Sequence, residues 1–492
     1  MNKIEKKTYS ITTYGCDMNK SDSERLASAL ESLGYSLVKK NKVPDLLVFN
    51  SCSVRQSAVD RIYGQMGKFT SFKKKNPDFR AAVTGCILPK DRKKLLKRFD
   101  FIFNIKDLDK LALILKEPKK YYKLSKEEIA SFRVAARKQD FKERSDECSS
   151  FRVAARKQDF EERSDECSSF RVAARKQDFE ERSDECSYFK IRPKYHNKFS
   201  CLVPISFGCN RFCTYCAVPY TRGLEINRPS KDILNEVKEL ISEGPKEIIL
   251  LGQTVSSWQD PKDKNYVFVD LLKDLEKLPG KFWIRFNSPY VLDFNDKLID
   301  FLAEAQKINN YLNLPIQSGN NQILKKMKRE YSAGQYLKVL SSLKDRVPDF
   351  SFSTDIIVGF CGETEKQFQD SFNVFKKISP SMAYIAKYST RPGTVAAKIF
   401  KDSVPLKIKK QRHAELTRLL RQTSKSNLQK EVGRTLEVLV NDYLPNKKEC
   451  LAKTRNFKAI RFKGNKKLLG KFVKVKIVKT REFELEGKLF KN

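Results

Sequence analysis

The sequence predicts an α/β multidomain protein: an N-terminal parallel α/β domain, a central partial (βα)6 barrel and a small C-terminal β-barrel. Three observations carry this. Strand-like apolar runs alternate with stretches of helical spacing over residues 1 to about 120, and again from about Phe199 to Arg421; that alternation marks parallel sheets crossed by helices. A block of near-identical repeats separates the two regions, and after Gly433 the apolar period falls to two, as in strands that pair without helices. The 492 residues are enough for about three domains. The expected bounds are 1–125, 191–430 and 431–492, with 126–190 as a linker.

In the first region, Tyr9 to Tyr14 reads as a strand and Ser21 to Leu33 as a helix, with Leu26, Ala29, Leu30 and Leu33 at helical spacing. Leu46 to Phe49 is a short buried strand, Val59 to Met66 a helix and Ala81 to Thr84 a third strand. A cysteine lies at the carboxyl end of each strand: Cys16, Cys52 and Cys86, separated by 36 and 34 residues. One βαβ unit takes roughly 30 residues or more, and the carboxyl ends of parallel strands line one crevice where ligands bind. Topology therefore brings three sequence-distant thiols together as a cluster site. The other reading is three small cysteines filling a core.

Residues 131–187 hold three copies of one 19-residue unit, Ser131–Ser149, Ser150–Ser168 and Ser169–Ser187, which differ only where Lys142 becomes Glu161 and Glu180. The unit is charged and compatible with a helix, but too short and polar to stack as a solenoid. Cys148, Cys167 and Cys186 are one residue copied at a fixed interval rather than a ligand set.

The central region offers six strands: Cys201–Phe207, Glu247–Leu251, Phe282–Phe286, Tyr311–Ile316, Phe350–Val358 and Ala383–Tyr388. Helical patterns fall between them at Asp232–Ser242, Leu271–Leu278, Leu298–Ala305, Tyr336–Leu343 and Phe368–Ile378. Six βα units curl into an open barrel with its chemistry at the strand carboxyl ends. Just past the first strand stands Cys209-Asn210-Arg211-Phe212-Cys213-Thr214-Tyr215-Cys216, a CxxxCxxC run. Three thiolates on a cubane [4Fe–4S] cluster leave one iron open to chelate a small molecule and pass it an electron. A zinc knuckle is the alternative, but it wants CxxC pairs or a nearby fourth ligand. The only histidines in the chain are His196 and His413.

In the last region Val473, Val475 and Ile477 alternate with Lys474 and Lys476, which suggests a small barrel with a basic face. That face either lies on RNA or merely solvates the barrel. A net charge of +38 likewise attracts a polyanion such as RNA, or reflects a lysine-rich composition. Twelve cysteines, an N-terminus without the apolar core of a signal peptide and no run near the roughly 20 apolar residues of a spanning helix lead us to expect a cytoplasmic protein whose thiols serve metal.

The CxxxCxxC spacing resembles the radical S-adenosylmethionine (SAM) enzymes, and the motifs as a set resemble their methylthiotransferase family. Tyr14-Gly15-Cys16-Asp17-Met18-Asn19, Asn50-Ser51-Cys52-Ser53-Val54-Arg55 and Thr84-Gly85-Cys86 are similar to its N-terminal domain. Phe207-Gly208-Cys209 through Tyr220-Thr221-Arg222-Gly223 is similar to its radical-SAM loop. Leu314-Pro315-Ile316-Gln317-Ser318-Gly319, Asp355 to Phe360 with Gly362-Glu363-Thr364, and Tyr388 to Thr394 continue the pattern, and the C-terminal segment resembles a TRAM domain. Within the family, Cys52-Ser53-Val54-Arg55, Tyr63-Gly64-Gln65-Met66-Gly67 and Leu250-Leu251-Gly252-Gln253 are most similar to members that act on N6-dimethylallyladenosine in tRNA.

That resemblance implies two [4Fe–4S] clusters and SAM as cofactors: one cluster on Cys209, Cys213 and Cys216 that cleaves SAM, and an auxiliary one on Cys16, Cys52 and Cys86 that carries sulfur. It places Tyr215 near the SAM adenine, with ordinary loop packing as the other reading, and Gly252 and Gln253 near its methionine end. It implies no catalytic side chain beyond the cluster ligands. The substrate would be the adenosine beside the anticodon. The implied electron donor is of flavodoxin or ferredoxin type, the protein a monomer away from membranes, and the sulfur source open. Sister branches modify threonylcarbamoyl-adenosine or a ribosomal-protein aspartate, and an RNA-binding protein with inert clusters is the rival of another class. The chain departs from the family pattern at Cys361 (usually Pro), Thr254 (usually Asn), and in lacking the usual His in Asn287-Ser288-Pro289-Tyr290 and Leu312-Asn313-Leu314-Pro315.

Overall fold

The computed structural model describes residues 7–39, 42–52, 56–117 and 187–490. The repeat block lies outside the described residues except for Ser187. The chain forms two compact units, Met1–Lys194 with Tyr220–Ile226, and Tyr195–Pro219 with Asn227–Asn492.

The first unit is built on a parallel sheet of five strands: β1 (Thr8–Tyr14), β2 (Ser36–Leu37), β3 (Leu46–Cys52), β4 (Arg80–Cys86) and β5 (Phe101–Ile102), in the order β2-β1-β3-β4-β5. Every residue of β3 is buried, as expected of a continuous apolar run covered on both faces. Phe49, Phe69, Phe79 and Phe99 make the aromatic centre of the core. Helix α1 (Asp17–Ser32) buries Leu26, Ala29 and Leu30 as its spacing predicts, whereas Leu33 is 40% exposed where the chain leaves the helix. Unusually, α1 also buries Ser21, Asp22, Ser23, Glu24 and Arg25. Buried charge needs partners, and those partners form part of a site.

In the second unit β6 (Ser200–Pro204) is followed by the two-residue strands β7 (Ser206–Phe207) and β8 (Ile226–Asn227), then β9 (Glu247–Leu251) and β10 (Trp283–Phe286). The strands β11 (Tyr311–Asn313), β12 (Ser351–Val358) and β13 (Met382–Lys387) complete the set. Parallel ladders join β6, β9 and β10, and separately β11, β12 and β13; a parallel bridge between Ile284 and Ile308 spans the gap. The six predicted strands are thus present in chain order. β11 ends at Asn313 rather than Ile316, because Pro315 has no N–H to donate and Gln317 takes a φ of +67°. The five predicted helices are present at Ser230–Glu243, Phe268–Lys277, Asp296–Glu304, Ala333–Arg346 and Glu365–Ile378.

A helix over Leu406–Gln429 extends for 24 residues. Its buried leucines, Leu416, Leu419, Leu420 and Leu428, are diluted among lysines and arginines, so the periodic signal is weak. It leads into a closed barrel of β14 (Thr435–Leu444), β15 (Glu449–Thr454), β16 (Ala459–Lys463), β17 (Phe472–Thr480) and β18 (Leu485–Leu489). Val475 and Ile477 are buried while Lys474 and Lys476 are exposed, as the alternation predicts. Cys201 and Cys450 are buried in their cores. The β15–β16 turn docks on the partial barrel. Arg455 Nε and Nη2 donate to the Ile308 carbonyl at 3.0 and 2.7 Å, and Phe457 stacks on Tyr311 with ring centroids 4.6 Å apart.

Candidate cluster sites

Cys52 and Cys86 are the last residues of β3 and β4 and stand opposite each other in register. Cys16 follows β1, the other neighbour of β3, and caps α1. Three adjacent parallel strands therefore deliver the three thiols to one end of the sheet. The backbone around them is fixed by polar side chains. Asn19 reaches back to the Cys16 N–H at 3.3 Å and donates to Asn50 Oδ1 at 3.0 Å; Asn50 donates to the Asn19 carbonyl at 2.7 Å. Gly85 adopts a φ of +97°, and a Cβ there would overlap Asn50 and the Ser51 carbonyl, so only glycine suits the position.

A buried charged group meets this trio. Arg222 Nε donates to Cys86 Sγ at 3.0 Å, and its Nη2 pairs with Asp22 at 2.7 Å, with both side chains almost fully buried. Tyr188 Oη donates to Asp22 at 2.7 Å, and Arg25 lies over the Tyr188 ring at 5.0 Å. Contact with Cys52 and burial push the Cys86 thiol well above the ordinary cysteine range, with Arg222 opposing.

The second trio lies on the loop after β7, which Gly208 (φ +83°) and Phe212 (φ +48°) bend. Thr214 anchors it: its N–H donates to the Met327 carbonyl at 3.1 Å, its Oγ1 to the Lys326 carbonyl at 2.8 Å, and its carbonyl accepts from Ala396 N at 2.8 Å. Cys209 and Cys213 are buried and Cys216 is half-buried. Burial, and next the neighbouring Cys213, push the Cys216 thiol far up. Arg329 Nη1 donates to Cys213 Sγ at 3.4 Å, and its guanidinium sits over the rings of Tyr290 and Tyr331 at 4.9 and 5.0 Å.

Gly252 and Gln253 follow β9 directly. A Cβ on Gly252 would overlap Ser206 Oγ. Ser206 Oγ and Gln253 Oε1 are buried and have no hydrogen-bond partner among the described residues; such groups await a polar ligand or water. Tyr215 packs half-buried against Met327, Phe360, Cys361 and Tyr388.

The donor chemistry of both trios fits an iron–sulfur cluster. None of the six cysteines is in a disulfide, and a cubane takes three thiolates and leaves one iron open. A zinc ion holds its thiolates at about 2.3 Å, and among the described residues no three Cys, His, Asp or Glu side chains converge tightly enough for a single metal ion.

Sequence reasoning missed Arg222, Asp22, Tyr188 and Arg329. Arg222 was visible within Tyr220-Thr221-Arg222-Gly223, but as part of the loop that continues from Cys216. The signal for Asp22 was the polar run Ser21 to Arg25 in a helix with few apolar residues. The departures from the family pattern have structural partners. Tyr290 carries Arg211 over its ring at 3.8 Å, Asn313 donates to Asp355 at 3.0 Å and accepts from Ser353 at 2.6 Å, and Thr254 Oγ1 lies 3.6 Å from Cys209 Sγ.

Six parallel strands in two three-stranded ladders, with a cysteine trio after the first of them, suit the radical SAM enzymes, and the model of the Radical SAM superfamily matches residues 203–375. The model described as Uncharacterized protein family UPF0004 matches residues 8–105, and that of the TRAM domain matches residues 429–490. The curated tRNA-2-methylthio-N(6)-dimethylallyladenosine synthase of Carboxydothermus hydrogenoformans is 36% identical over 99% of this chain and 100% of its own length. Those of Alkaliphilus oremlandii and Bacillus subtilis are each 34% identical, over 99% and 97% of this chain and 94% and 85% of theirs. Among solved structures, the radical SAM methyltransferase TsrM of Kitasatospora setae shares the fold at a TM-score of 0.51 and 12% identity, covering 80% of this chain and 74% of that one. The chain belongs to the tRNA-2-methylthio-N(6)-dimethylallyladenosine synthase family. Its cofactors accordingly include SAM and a [4Fe–4S] cluster.

Proposed function

We propose that this chain methylthiolates the adenosine beside the anticodon of tRNA, converting N6-dimethylallyladenosine to its 2-methylthio derivative. The observation that carries the reading is the pair of cysteine trios, one on each of two units, in a chain whose full-length relatives bear the name of that synthase. Cys209, Cys213 and Cys216 would hold the cluster that engages SAM, and Cys16, Cys52 and Cys86 a second, auxiliary [4Fe–4S] cluster. When bound, these groups supply the carbon radical, sulfur and methyl that an unactivated C–H bond requires and no side chain can provide.

The chain's own residues bind, orient and exclude. Thr214 fixes the cysteine loop against Lys326 and Met327. Ser206 Oγ and Gln253 Oε1, with Gly252 leaving room beside them, offer unsatisfied polar atoms to the methionine end of SAM. Tyr215 would close over its adenine from the loop. The exposed lysines of β17, Lys474 and Lys476, would grip phosphates, and an unpaired base in the anticodon loop can be splayed out for chemistry where a paired one cannot. The reading includes a monomer in a reducing cytoplasm, three domains at 1–125, 191–430 and 431–492 joined through the repeat linker, and a flavodoxin- or ferredoxin-type electron donor. It leaves the sulfur source open. Among the described residues no helix is long and apolar enough to cross a membrane.

The test is nucleoside analysis of tRNA carrying N6-dimethylallyladenosine after anaerobic incubation with reconstituted protein, SAM and dithionite. Appearance of the 2-methylthio nucleoside supports the assignment. Methylthiolation of threonylcarbamoyl-adenosine instead, or no modified nucleoside with SAM intact, overturns it.

A further inference from the structure

Each cysteine trio has one arginine on one of its sulfurs, Arg222 buried and Arg329 half-buried, and the two differ in whether a carboxylate is paired with them. Arg222 donates to Cys86 at 3.0 Å while paired with the buried Asp22 at 2.7 Å, so a carboxylate directly offsets its charge beside the auxiliary trio. Arg329 donates to Cys213 at 3.4 Å, but its other neighbours are the Tyr331 hydroxyl at 3.0 Å and the rings of Tyr290 and Tyr331. Among the described residues no carboxylate pairs with Arg329; the adjacent Glu330 is turned to Arg211.

From this we infer that Arg222 and Arg329 are positioning residues that set the two clusters to different reduction potentials, Arg329 by a bare guanidinium charge and Arg222 by a hydrogen bond whose charge Asp22 cancels. The inference rests on the two-cluster reading above. Reduction adds one electron, and no proton, to a cluster already negative through its thiolates and sulfides. A fixed cation nearby stabilises the reduced form and raises the potential, and hydrogen bonds and net charge at the sulfurs are the protein's levers on it. Removal from water, complete at Arg222 and partial at Arg329, strengthens both effects, since a lower local dielectric screens them less. A neutral Arg–Asp pair shifts the potential far less than a lone arginine at similar range.

The arrangement suits the division of labour. The cluster on Cys209, Cys213 and Cys216 must accept an electron and pass it to SAM, and an uncancelled cation eases that uptake. The auxiliary cluster would hold its sulfur without competing for the same electron, and Asp22 keeps it the harder to reduce.

The test is an EPR-monitored redox titration with dithionite on full-length, anaerobically reconstituted protein. Each cluster is read alone in a background that removes the other trio's cysteines. Arg329→Gln should lower the potential of the Cys209 cluster, with Arg329→Lys recovering part of the shift. Asp22→Asn should raise the potential of the Cys86 cluster by unmasking Arg222, and the double variant Asp22→Asn/Arg222→Gln should return it close to the parent value. Asp22→Asn removes the carboxylate charge from a buried arginine and can cost the fold; the double variant and the Arg329 arm still decide the matter. Unmoved potentials in Arg329→Gln, or a double variant far from the parent, with full iron in each case, overturn the inference alone. A background that keeps one intact trio and still binds no iron overturns the two-cluster reading and the inference with it.

Discussion

Cys52 and Cys86 end adjacent parallel strands in direct register, so that a one-residue slip between β3 and β4 would part the two thiols and send one to the opposite face of the sheet. The register is held where the site needs it. Asn50 ties β3 to Asn19 of α1, and Gly85 lets β4 pass the Ser51 carbonyl closely. Assembly of the trio is therefore a property of the sheet, whereas the Cys209 trio depends on the geometry of a single loop.

Gly85→Ala should damage the first trio and spare the second. The substitution places a Cβ in a left-handed conformation, a cost of about 1–2 kcal/mol, and forces it against Asn50 and Ser51. Reconstituted protein should lose about half its iron, as read by iron analysis. The EPR signal of the remaining cluster should be unchanged.

Gly252→Ala should act on SAM and leave iron alone. Its Cβ would fill the space beside Ser206 Oγ. One hydrogen bond in a tight site is worth about 1.4 kcal/mol, so SAM affinity measured by equilibrium dialysis should fall about tenfold. Gln253→Leu should do the same; unchanged binding in both would remove these residues from the SAM site.

The six cysteines were legible because ligand spacing and strand ends are written in the chain itself. Their charged neighbours were not. Arg222 is read in sequence with Cys216, six residues before it, yet its side chain belongs with Asp22 and Cys86 of the first unit. No periodicity announces a pairing across 200 residues. The Leu406–Gln429 helix escaped for the opposite reason: its apolar stripe is real, but charged residues outnumber it locally. The end of β11 was set by Pro315 and the left-handed Gln317, where turn chemistry overrode an apolar run.

Asp45 gives the first unit a defined acid sensitivity. Burial opposes ionisation, but bonds from Thr8 N at 2.6 Å, Thr8 Oγ1 at 2.7 Å and Asn76 Nδ2 at 2.8 Å outweigh it and hold the carboxyl below its ordinary value. A depressed folded value adds stability above the unfolded value of about 3.9, lost as pH falls through the folded one. Asp45→Asn should cost about 1.5–3 kcal/mol near pH 7. In urea melts at falling pH, the gap between parent and variant should narrow as pH falls from the unfolded-state value through the lower folded-state one.

Binding of tRNA should weaken steeply with salt, because lysines that neutralise phosphates release counterions. Replacing Lys474 and Lys476 by alanine should flatten the plot of log affinity against log salt by roughly one unit for each phosphate no longer neutralised. An unchanged slope would mean that the β17 lysines only solvate the barrel.

The account stands on two clusters in two separate trios, and iron content tests that most directly. Anaerobically reconstituted parent should hold about eight irons, and the Cys16→Ala/Cys52→Ala/Cys86→Ala variant and the Cys209→Ala/Cys213→Ala/Cys216→Ala variant about four each. About four irons in the parent, unaltered by the first variant, would contradict it.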